Sequence, residues 1–110
     1  MTKQKFIPIE TLLELKTNDE PFKLVEILIE ENYHEGHIPG AINIPLQDVE
    51  DGKTDQLEKD ETIIVYSASY TCPGSTLATK ELLDRGYKNV LNFKAGKKGW
   101  VNAGFELEVE

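Results

Sequence analysis

Among the side chains of this 110-residue chain whose types and spacing could do chemistry are one cysteine, Cys72, two histidines, His34 and His37, and the hydroxyls of Ser67, Ser69 and Thr71. Four of these fall in one short run, Ser67-Ala68-Ser69-Tyr70-Thr71-Cys72, followed by Pro73. A thiol at the start of a helix has its pKa lowered and becomes a usable thiolate, whereas a serine hydroxyl needs an adjacent general base before it attacks anything. A Ser–His pair would have to use His34 or His37, and no G-x-S-x-G pattern surrounds Ser67 or any other serine. His34 and His37 are spaced like metal ligands, yet Cys72 is the one further soft donor, so no metal site is expected. His37, just before Ile38-Pro39-Gly40, is expected to be a hydrogen-bonded structural residue. With a single cysteine there is no internal disulfide to form.

The elements around this run explain why it should matter. Thr62 to Tyr66 (TIIVY) is β-branched and aromatic and reads as a buried strand. After Pro73, Ala78 and Leu82 stand four apart with Leu77 and Leu83 beside them, which predicts a helix that Gly86 ends as the glycine after its last turn. Strand, tight loop and helix start together form an anion cradle of backbone N–H groups, here from Ala68, Ser69, Tyr70, Thr71 and Cys72. Elsewhere, Ile9, Leu12 and Leu13 after Pro8 predict a first helix that the Thr17–Pro21 loop ends. The spacing predicts a buried strand over 22–29, a loop from Tyr33 leading into a short strand over 41–44, and a helical turn over 46–51. A last strand over 89–93 and a short helix around Gly99-Trp100-Val101 complete the pattern. Strands alternate with helices, which predicts an α/β domain with a central, mainly parallel sheet of about four or five strands and helices on both faces. In such sheets ligands sit at the carboxyl ends of the strands.

Hydrophobic residues make up 39% and charged residues 29% of the chain, a globular composition, and 1–110 is read as one domain. No apolar run approaches the roughly 20 residues of a membrane span, and MTKQKFIPIE lacks a signal peptide's apolar stretch. A cytoplasmic protein without a membrane partner is the expectation. The net charge of −8 is uneven: 15 acids against four bases from Glu10 to Glu61, and six bases against two acids from Lys80 to Lys98. The acidic part argues against nucleic-acid binding, while the basic stretch can attract a small anion or an acidic partner. Lys97 and Lys98 are candidates to collect an anion, with solvated lysines as the alternative. Trp100 is expected in the core or at the rim of the site.

Several separate motifs resemble one family. Glu35-Gly36-His37-Ile38-Pro39-Gly40-Ala41-Ile42-Asn43-Ile44-Pro45 is similar to the EGHIPGAINIP signature of rhodanese-like domains. Leu24-Val25-Glu26-Ile27 resembles their first core strand, Thr62–Tyr66 the strand before the active-site loop, and Gly86-Tyr87-Lys88-Asn89-Val90 the GY-x-NV turn after the loop helix. Gly96, Gly99-Trp100 and Ala103-Gly104 resemble the closing G-x-x-GW-x-x-AG element. The resemblance implies a rhodanese-like fold and a sulfurtransferase that carries sulfane sulfur as a loop cysteine persulfide. Its reactants would be a small sulfur-containing anion such as thiosulfate and a persulfide or thiol acceptor, with no cofactor.

The departures are specific. Active members have cysteine directly after the strand, and here that position is Ser67, which can keep the hydrogen bonds of the cradle but cannot form a persulfide. The chain as written is therefore expected to be inactive or nearly so as a thiosulfate sulfurtransferase, unless Cys72 substitutes. Ser67 is either a Cys-to-Ser exchange in an otherwise competent sulfurtransferase or the natural state of a non-catalytic binding or regulatory module. The lengthened loop resembles a subgroup with a second cysteine five residues after the first, which makes Cys72 an accessory thiol able to resolve a persulfide at 67. Rhodanese-fold phosphatases resemble C-x5-R, and both ends of that pattern are absent here, where Ser67 and Pro73 stand. The aspartate of the family's first strand is Glu26, and the arginine often found two residues later is Leu28, so the cation of that pair is missing from the strand.

Overall fold

The computed structural model describes residues 3–110. Five strands form one parallel sheet: β1 (Lys5–Phe6), β2 (Lys23–Glu26), β3 (Ile42–Asn43), β4 (Thr62–Tyr66) and β5 (Asn89–Phe93) lie in the order β1-β5-β4-β2-β3. The helices are α1 (Ile9–Thr17), α2 (Glu30–Glu35), α3 (Leu46–Glu50), α4 (Gly74–Asp84) and α5 (Gly96–Asn102). β4 is central, with Val65 beside Val25 on one side and Asn92 on the other. This is the α/β architecture the alternating pattern predicts.

The two-residue periodicity of the strands sorts the core into two faces. Val25, Ile63, Val65 and Val90 point one way and pack against Val49 of α3 and Ala78 and Leu82 of α4. Leu24, Ile64, Tyr66 and Phe93 point the other way and pack against Leu12 of α1 and Trp100 of α5. Both faces of β4 are therefore covered, and Ile63 through Tyr66 are fully buried, which is why TIIVY contains no charge.

Gly86 closes α4 at φ +96°, with its N–H donating to Leu83 O at 3.1 Å and the Tyr87 N–H to Leu82 O at 3.1 Å, as the sequence predicts. Three features differ from the sequence reading. The second strand is shorter than 22–29, spanning Lys23–Glu26, because β4 pairs with only those four residues and β3 with only Val25 and Glu26. α2 lies on a stretch for which no element is expected: it buries none of its residues and so leaves no apolar periodicity to read. β1 is two exposed residues on the sheet edge, with no alternation to mark it.

Candidate active site

β4 and β5 run parallel, so their carboxyl ends emerge together and deliver two connections to one place: the loop 67–72 after β4, and the turn into α5 after β5. Ser67 is completely buried where β4 ends. Its Oγ lies 2.8 Å from the Sγ of Cys72, so the loop folds back until its first and last side chains touch. Gly74 makes that closure possible: a Cβ there would come within 2.6 Å of Ile27 Cδ1 and 3.2 Å of Ser67 Oγ.

Burial pushes the Cys72 pKa up, but hydrogen bonds from Ser67 Oγ and from the N–H groups of Gly74 and Ala68, together with the Lys94 ammonium, outweigh it and hold the thiol below its ordinary value. Gly74 opens α4, so its contribution is the helix-start effect expected from the sequence. The thiol is half-buried and the sole cysteine of the chain.

The five N–H groups expected to build the cradle divide. The Ala68 N–H lowers the Cys72 pKa, and among the described residues no backbone carbonyl accepts from Ser69, Tyr70 or Thr71. The N–H of Cys72 is turned away and donates to Ser69 O at 3.1 Å. Gly74 supplies the N–H that the sequence reading assigns to Cys72, because the turn closed by that bond points the Cys72 amide back into the loop. Tyr70 projects outward, 68% exposed, with Lys94 Nζ 5.2 Å from its ring centre, and Ser69 Oγ meets Thr71 Oγ1 at 3.2 Å. A cavity of about 340 Å³ lies between Ser69, Tyr70 and Thr71 on one side and Lys98, Gly99 and Asn102 of α5 on the other.

The remaining candidates serve the frame. His37 is buried and stacks on Tyr33 at 4.0 Å between ring centres. Its Nδ1 faces Tyr33 O at 3.3 Å and its Nε2 faces Glu108 at 3.6 Å, while its backbone bridges to Glu108. Among the described residues no three His, Cys, Asp or Glu side chains gather as a metal site. Trp100 is core, with Nε1–H donating to Glu106 O at 3.0 Å.

Lys97 is not an anion collector: it is largely buried and lies 3.0 Å from the Oε2 of fully buried Glu26. The missing cation of β2 is thus supplied from α5, a partnership between distant elements that no local spacing signals. Lys94, which the sequence reading counts only as part of the basic stretch, is the ammonium that acts on the thiol.

The model of the rhodanese-like domain matches residues 9–103. YrkF of Bacillus subtilis is 29% identical over 95 residues, 86% of this chain and 50% of that protein. A sulfurtransferase of Allochromatium vinosum is 27% identical over 101 residues, 92% of each chain. The crystal structure of BH2092 from Bacillus halodurans superposes with a TM-score of 0.86 at 29% identity, covering 96% of this chain and 77% of that one. The chain spans half the length of YrkF, and 20% and 37% of two other curated relatives. A match over residues 9–103, nearly the whole described chain, makes this chain a member of the rhodanese-like domain family.

Proposed function

We propose that this domain transfers sulfane sulfur, taking it from a small sulfur-containing anion such as thiosulfate and giving it to a thiol or persulfide acceptor. The observation that carries this reading is a thiol of lowered pKa held 2.8 Å from Ser67 and under the N–H groups of Ala68 and Gly74. The Cys72 thiolate attacks the outer sulfur of thiosulfate, the S–S bond to the sulfonate breaks, and sulfite leaves with the bonding pair. Cys72 persulfide remains, and the N–H groups that face the thiolate bear its charge. An acceptor thiolate then takes the outer sulfur and returns Cys72 to the thiolate. The sulfurtransferase of Allochromatium vinosum supports the reaction class.

Position 67 sets the rate. A serine there keeps the cradle but carries no sulfur, so the domain with Ser67 turns over thiosulfate slowly, through Cys72 alone. A cysteine at 67 would be the principal nucleophile with Cys72 as its accessory thiol. Thiosulfate-to-cyanide transfer by the wild type, by Ser67→Cys and by Ser67→Cys with Cys72→Ser tests this. Activity gained by Ser67→Cys is the expected result, and the double variant measures what Cys72 adds. A Ser67→Cys protein that stays inert while its new thiol alkylates readily would overturn sulfur transfer from thiosulfate and leave a binding role for the cradle.

A further inference from the structure

Glu26 places a charge beneath the loop that the cradle itself does not use. It stands at the carboxyl end of β2 and is 0% exposed. A carboxylate so buried is costly unless it is paired. One oxygen accepts from Tyr66 Oη at 2.7 Å, and Tyr66 Oη accepts in turn from the Ile38 N–H at 3.1 Å. The other oxygen has Lys97 Nζ at 3.0 Å, a charge contact rather than an aligned hydrogen bond. Lys97 Nζ also donates to Asn32 O of α2 at 2.7 Å. One ammonium therefore joins α5 to β2 and α2.

The backbone of the same residue reaches the loop. The Lys97 N–H donates to Ser67 O at 3.0 Å and the Lys98 N–H to Ala68 O at 2.9 Å. In a trans peptide the C=O and N–H point in opposite directions. With the Ser67 carbonyl drawn out toward α5, the Ala68 N–H of the same peptide must point the other way, into the loop, where it helps to lower the Cys72 pKa. Gly96 lets α5 come this close: at φ +64° it lies against the Ser67 carbonyl, with which any Cβ would collide.

We propose that Lys97 is a positioning residue, whose grip on buried Glu26 holds the first turn of α5 against the loop and so keeps the Ser67–Ala68 peptide aimed into the cradle. Its own charge faces Glu26. The groups that face the thiol are Ser67 Oγ, the N–H groups of Ala68 and Gly74, and the ammonium of Lys94. Lys97 therefore acts on Cys72 through geometry, whereas Lys94 acts through charge.

This deepens the sulfur-transfer reading of the same cradle but can be tested without any sulfur transfer, so the two can fail separately. Cys72 is the sole thiol, and its iodoacetamide alkylation rate against pH reports its ionisation. Lys97→Met is expected to raise the apparent thiol pKa by about one unit, which is about tenfold slower alkylation at a fixed pH below it. Lys97→Arg, which keeps the charge contact, should restore the profile. Glu26→Gln with Lys97→Met removes both charges, so it should recover the melting temperature but not the alkylation profile, and it supplies the measurement if Lys97→Met alone does not fold. A profile in the folded variants that superimposes on wild type would overturn the proposal. So would a double variant that recovers profile and melting temperature together, since Lys97 would then be structural only.

Discussion

At the scale of the residue, the proposed chemistry rests on one thiol and what surrounds it. Cys72 is held below its ordinary pKa because three hydrogen-bond donors and Lys94 outweigh the cost of its burial. That shift is also a statement about stability. The folded thiol ionises below the unfolded value of about 8.5, so the thiolate's contribution is complete above that value and is lost as pH falls through the folded pKa. The difference in urea midpoint between wild type and Cys72→Ser should therefore grow from mildly acidic to alkaline pH; a constant difference would mean that the thiol gains nothing from its cradle. Cys72 and Ser67 were both legible in the sequence as residues of chemical interest, because a strand followed by a tight loop and a helix start has few other uses for them. That positions 67 and 72 meet was implied by the resemblance to the two-cysteine subgroup, whereas the part Gly74 plays in letting the loop fold back was not legible.

At the scale of the element, two glycines set how closely the parts of the site approach. A methyl group at Gly74 meets Ile27 Cδ1 at 2.6 Å, while at Gly96 it meets the Ser67 carbonyl in a backbone conformation that favours glycine. Overpacking of this kind costs about 1–3 kcal/mol. Gly74→Ala should sit within that range because the Ile27 side chain can turn aside, and Gly96→Ala should cost more because backbone cannot. Urea unfolding of the two variants checks the order, and equal or reversed losses would contradict it. The strand–loop–helix unit over residues 62–84 was legible because β-branching, Pro73 and Gly86 all mark it locally. α2 was not, having no buried face, and neither was the Glu26–Lys97 pair, whose members come from β2 and α5.

At the scale of the whole molecule, the sheet is covered on both faces, by α3 and α4 on one and α1 and α5 on the other. The site needs both layers, because α4 supplies the Gly74 N–H and α5 holds the loop carbonyls. Leu82 and Leu12 are completely buried, one in each core, and truncation of either to alanine should cost about 2–5 kcal/mol. With both cores built on the same strands, each variant should still melt in one transition; separate transitions would show two independent units. The alternation of strands and helices announced this layering from the sequence. What it did not announce was that the second layer reaches across the top of the sheet to hold the loop.

The claim on which the rest depends is that the cradle's thiol accepts sulfur. Intact-protein mass spectrometry of wild type and Cys72→Ser, after exposure to thiosulfate or to a low-molecular-weight persulfide, tests it directly. A mass gain of one sulfur atom in the wild type, mapped to Cys72, reversed by a thiol and absent from Cys72→Ser, is the predicted result. A wild-type protein that gains no sulfur from either donor, although Cys72 alkylates readily, would contradict the account.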